Sequence, residues 1–131
     1  MTLQVELVSP ELILYSGEAD MVICRTLQEG ELAFLTGHTP FLGALDDAPL
    51  RIKKADGNWQ DAAVHGGFVE VSDDRVIILS DLAELAEDID VERARRELAE
   101  NERRTQDHDD AEVEAKLRRD HVRILVAENR H

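Results

Sequence analysis

Two arginines four residues apart, Arg119 and Arg123, are the side chains best spaced for chemistry in this 131-residue chain. On a helix that spacing puts both guanidiniums on one face, where they can clamp phosphate oxygens. The free N–H groups at the start of a preceding helix would assist them. The plain alternative is that both arginines pair with Glu and Asp on a solvated surface. Asp90 can likewise do no more than cap its helix. The run Asp107-His108-Asp109-Asp110 has metal-ligand residue types, but four consecutive turn residues rarely converge on one ion and no His or Cys cluster accompanies them. A Ser/Cys–His–Asp pattern, a phosphate-cradling glycine loop and a paired-carboxylate motif are all missing from the sequence, which argues against an enzyme. His65 sits at a predicted strand end and reads as structural. His38 follows Gly37 in a turn and reads as an exposed polar residue. Cys24 lies in the apolar run Met21-Val22-Ile23-Cys24 and reads as a buried thiol.

The elements that must position these residues fall into two groups. From residue 3 to about 82, short apolar runs are cut by turn residues at intervals of roughly ten, as in an antiparallel sandwich. Leu3, Val5 and Leu7 alternate with Gln4 and Glu6. Further predicted strands cover 12–15, 19–26, 32–35, 50–53, 58–64, 68–71 and 75–79. Asp56-Gly57 and Asp73-Asp74 supply hairpin turns. After Ile89 glycine and proline disappear and Ala, Glu, Arg and Leu dominate. Asp90 is the predicted N-cap of a first helix, with Val91, Ala94, Leu98 and Thr105 on one face. Asp109 with Glu112 begins a second, whose apolar stripe is Val113, Leu117, His121, Ile124 and Leu125. The expected fold is therefore α+β, mainly β: a β-sandwich over 1–88 and a helical hairpin over 89–131. Narrow stripes make such a hairpin marginal alone, so it should dock on the sandwich and be able to leave it.

The net charge of −14 argues against nucleic acid, which calls for a basic stripe. Residues 1–88 hold 17 acidic and 5 basic side chains and residues 89–131 hold 12 and 10, so the back third is charge-dense yet balanced, as on a salt-bridged helical surface. No apolar run approaches the ~20 residues that cross a bilayer. Residues 1–10 lack the basic start, apolar middle and small-residue cleavage site of a secretory signal, so a cytosolic protein with no direct bilayer insertion is expected.

The segment Gly30-Glu31-Leu32-Ala33-Phe34-Leu35-Thr36-Gly37-His38-Thr39-Pro40 resembles the glycine-histidine-proline signature of the ATP synthase epsilon family. His65-Gly66-Gly67-Phe68-Val69-Glu70-Val71, with 75–81 behind it, looks like that family's double-glycine strand and its successor. Ala33 stands where the family usually has glycine and Thr36 where it usually has proline. The resemblance implies a non-catalytic central-stalk subunit on the cytoplasmic face of the membrane, with the gamma subunit, the c-ring and the catalytic beta subunits as partners. It implies ring contact by one loop carrying Glu31 and His38. Ile89-Asp90-Val91-Glu92-Arg93-Ala94 is similar to the Asp-x-x-Arg-Ala element with which some members bind ATP. By that likeness Glu84, Ile89, Asp90, Arg93, Ala94, Arg119 and Arg123 would hold ATP as a regulatory ligand, no cofactor being required. A rival reading is a free-standing sandwich adaptor that self-associates through its hairpin.

Overall fold

The computed structural model describes residues 2–107 and 111–128. Nine strands come first: β1 (Leu3–Val8), β2 (Ile13–Thr26), β3 (Gly30–Leu35), β4 (Phe41–Ala44), β5 (Asp47–Lys54), β6 (Trp59–His65), β7 (Phe68–Ser72), β8 (Arg75–Leu79) and β9 (Ala83–Leu85). A short 3-10 turn (Ala86–Asp88) leads into helices α1 (Val91–Asp107) and α2 (Ala111–Ala127). The strands form one hydrogen-bonded path, β4-β7-β8-β1-β2-β5-β6-β9, with β3 as a side branch on β2. Folding that path over itself makes the sandwich.

Strand alternation is the cause. Leu3, Val5 and Leu7 are fully buried while their neighbours are half-exposed, as a period of two demands. With Val22, Phe34, Leu50, Ile52, Val69, Val71, Val76 and Ile78 they form the main core. Cys24 belongs to it too, and burial pushes its thiol up to about 12, so it stays protonated and inert.

The predicted runs 12–15 and 19–26 merge into the single 14-residue β2. It pairs with β1 through its first half and with β3 and β5 through its second. The pairing shifts between Ala19 and Met21, a bulge that lets one strand serve both layers. Two strands arise where the sequence shows no run, β4 and β9. One pair departs from the antiparallel expectation, because β1 lies parallel to β8. Asp73 and Asp74 both take positive φ, at 51° and 59°, and make the expected two-residue hairpin turn.

Asp90 caps α1, its Oδ1 accepting from the Arg93 N–H at 3.1 Å. Among the described side chains of α1, Ala94 and Asn101 are buried. In α2 they are Val113, Asp120, Val122 and Val126, so the predicted stripe is only partly right. His121 is exposed, and Leu125 is about one-third exposed. The helix uses two faces. Asp120 turns to Asn101 of α1, whereas Val122 and Val126 pack on Ala63 of β6 with Ala86 and Ile89. Ile89 thus helps fasten the hairpin to the sandwich. The predicted cap Asp109 lies outside the described residues, as do the side chains of Thr105 and Asp107.

Candidate functional site at the junction of hairpin and sandwich

A cleft of about 280 Å³ opens where β9, the 3-10 turn, α1 and α2 meet. Its walls bring together six of the seven residues expected to hold a nucleotide: Glu84, Ile89, Asp90, Arg93, Ala94 and Arg123. Asp88 and Glu97 complete the lining. Arg119 is placed elsewhere. It lines an adjoining groove of about 640 Å³ between α1 and α2, which shares Arg123 and Glu97 with the cleft. Four residues along a helix is ~6 Å along its axis, enough to carry Arg119 out of the first cavity and into the second.

The two cavities differ in charge. Four carboxylates face two guanidiniums in the cleft, whereas Arg96, Arg104, Lys116, Arg119 and Arg123 face Glu97, Glu100 and Asp120 in the groove. By charge, the groove favours an anion and the cleft disfavours one.

Arg123 joins the two. Its Nε donates to Glu84 Oε1 at 2.5 Å and its Nη1 to Asp120 Oδ1 at 3.3 Å, with Glu97 at 3.7 Å. Burial works against its charge, but the Glu84 bond and the surrounding carboxylates outweigh it and raise its pKa. Asp120 is nearly fully buried. Burial raises its pKa, against the pull of the Asn101 amide, and Asn101 Nδ2 donates to it at 3.2 Å. Neither Asp120 nor Asn101 stood out in the sequence. The only signal was their occurrence at inward helical positions, which a polar side chain hides.

The two residues expected in one loop are not in one loop. Glu31 opens β3 beside Arg25, 3.9 Å away, and lines a cavity with Val122 and Leu125 of α2. His38 lies beyond the other end of β3, its ring edge-on to Phe34 at 4.8 Å and its Nδ1 2.6 Å from the Thr39 carbonyl. At ~3.3 Å per residue the strand from Glu31 to Leu35 alone spans roughly 13 Å. The turn before His38 is tied to the far hairpin, since the Gly37 N–H donates to Asp74 Oδ1 at 2.7 Å.

Residues 2–86 match the family model described as ATP synthase, Delta/Epsilon chain, beta-sandwich domain. The chain belongs to the ATP synthase delta/epsilon family. An ATP synthase epsilon chain of Thermobifida fusca is 47% identical over 128 residues, covering 94% of this chain and 90% of that one. Another, from Halalkalibacterium halodurans, is 43% identical over 132 residues, covering 96% and 97%. The likeness therefore runs through the hairpin as well as the sandwich. In fold, the chain is similar to a chain of the Euglena gracilis mitochondrial ATP synthase, with a TM-score of 0.74 at 23% identity over 98% of this chain and 78% of that one. This epsilon-family member has, among its described residues, no helix long and apolar enough to cross a membrane.

Proposed function

We propose that the chain is the epsilon subunit of an F-type ATP synthase, a peripheral, non-catalytic rotor component at the cytoplasmic face of the membrane. The full-length likeness to bacterial epsilon chains carries this reading. The sandwich would transmit rotation from the c-ring toward the gamma subunit and the catalytic head, and the hairpin would regulate hydrolysis. Extended toward the catalytic beta subunits, it would present Lys116, Arg118, Arg119 and Arg123 and obstruct rotation.

Each contact has a suitable surface. On the outward side of β4, β7 and β8, Leu42, Phe68 and Leu79 are 72%, 56% and 49% exposed, and Phe68 stands directly opposite Leu79. Such an apolar face, with Glu70 opposite Leu42 on it and lying on the layer away from the hairpin, suits gamma. For Glu31 and His38 to meet one ring, the ring must lie along β3, which pairs with β2 alone and has an open edge. Mixing the chain with cognate gamma should give a one-to-one complex. Phe68→Asp should weaken it at least tenfold, since a charge would be buried in an apolar contact. No complex with the parent chain, or a homodimer formed through the hairpin, would favour the adaptor reading.

ATP as a regulatory ligand fits the paired cavities, with its base and ribose in the acidic cleft and its phosphates in the basic groove on Arg119 and Arg123. Arg123 must then exchange Glu84 for phosphate. A ligand that requires both helices side by side stabilises the docked hairpin, by about 2.7 kcal/mol at a hundredfold excess over Kd. Calorimetry of the full chain should give a saturable heat with ATP that Arg119→Ala with Arg123→Ala removes. Absence of heat at millimolar nucleotide would sink the ligand role and leave the stalk role standing.

A further inference from the structure

We propose that His65 is a proton sensor for hairpin docking: a proton on its imidazole repels Arg119 and Arg123 and drives α2 off the sandwich. The inference rests on the detachable-hairpin reading above and names a condition that releases it.

His65 ends β6, and every residue from Asp61 to His65 is buried, on both faces of the strand. Ala62 and Val64 point into the main core, whereas Ala63 packs under Val122 and Val126 of α2. Alternation places His65 on the same outward face as Ala63. Its burial is therefore the work of the hairpin. The side chain is 2% exposed, and among the described residues neither ring nitrogen has a hydrogen-bond partner. Such a ring resists protonation while covered.

The charges around it reinforce this. From α2 come Arg123 and Arg119. From β9 comes Glu84, whose Oε1 is 4.0 Å from Nε2 but is already engaged by Arg123. On β5, Asp47 stands opposite His65 in the ladder and is taken up by Arg118 at 3.5 Å. In the 3-10 turn, Glu87 is bonded to Gln60 at the far end of β6. The one counter-charge within reach is thus shared, and two guanidiniums oppose it. Burial first and Arg123 second push the imidazole down to about 4, Glu84 pulling the other way.

When α2 leaves, its cover and both arginines leave with it, and the ring returns toward the ordinary value of ~6.5. A depressed value in the docked state means docking is strongest above ~6.5 and is lost as pH falls toward 4. Between pH 7.5 and 5.5 the docking constant should drop about tenfold. Asp120, raised by burial within the hairpin, acts in the opposite sense.

Thiol labelling of the full chain carrying Val122→Cys reads the docking constant, because Val122 is exposed to reagent only when α2 lifts. Cys24 in the sandwich core reports global unfolding in the same tube. Normalised to an exposed Glu114→Cys control, labelling at 122 should rise about tenfold from pH 7.5 to 5.5, with Cys24 unchanged. Adding His65→Gln should reduce that rise to less than twofold. An equal rise with His65→Gln, or a flat parent profile with 122 still faster than Cys24, overturns the sensor and spares the detachable hairpin. Labelling at 122 no faster than at Cys24 at any pH removes both. Should His65→Gln fail to fold, the His65 ring signals of the unsubstituted chain decide: a midpoint near 4 supports the sensor, and one near 6.5 overturns it.

Discussion

Replacing Gly67 by alanine is expected to destabilise the sandwich by about 3–5 kcal/mol, enough to unfold a marginal domain. Two costs combine at this position. Its φ of 115° is outside the range that side chains tolerate, and a Cβ there would stand 2.0 Å from the Leu79 carbonyl oxygen. Neither neighbour can give way. Leu79 is held in β8 against Phe68 and Val8, and the Gly67 carbonyl accepts from the Leu45 N–H at 2.8 Å. Urea unfolding followed by circular dichroism should show a much lower midpoint, or no folded baseline. Gly57→Ala makes the control, since it has a φ of 90° but nothing within 4 Å, and it should lose only the ~1–2 kcal/mol of backbone strain. Equal losses at the two sites would show that close approach to Leu79 does not matter.

The second large effect belongs to Arg123→Ala, which should weaken docking of the hairpin by about 2 kcal/mol, near thirtyfold, while leaving the sandwich intact. Removing one partner of a fully buried ion pair costs ~3–5 kcal/mol. Arg123 is 26% exposed, so solvent takes part of that away. What remains is the Arg123–Glu84 bond, which crosses from the hairpin to the sandwich, whereas Asp120 and Glu97 belong to the hairpin itself. Arg93→Ala should cost under ~0.5 kcal/mol, because its bond to Glu97 lies on the surface. Labelling at Val122→Cys measures both. Equal effects would mean that apolar packing of Val122 and Val126, and not Arg123, holds the hairpin down.

What could be read in advance follows from how local each cause is. Leu3, Val5 and Leu7 announce β1 by themselves, and the pair Asp73-Asp74 announces its turn, because both depend on adjacent residues alone. The strand β4 has only four residues, one of them Gly43, and β9 only three; each exists because β7 or β6 offers it an edge. The parallel pairing of β1 with β8 likewise depends on how the path closes. At the junction, Asp90 was legible as a cap, and the family resemblance marked Glu84, Arg93 and Arg123. That Arg119 meets the adjoining groove was not legible, since spacing tells which face a residue occupies and not which cavity that face meets. Asp120 and Asn101 were invisible because a polar residue on a charged helix looks solvated until its partner is known. His65 was read as structural, which its burial supports, but the arginines that face it come from a helix 54 and 58 positions away.

The long strand β2 also has a mechanical meaning. It is bonded to β1, β3 and β5, so its two halves lie in different parts of the sandwich while remaining one covalent chain. A load arriving on the open edge of β3 and directed along the strands is shared at once by the backbone bonds from Met21 to Thr26, which must shear together. The same load directed across the sheet would open those bonds one after another, like a zip. The sandwich should therefore be stiff to a push along β3 and compliant to a pull away from it.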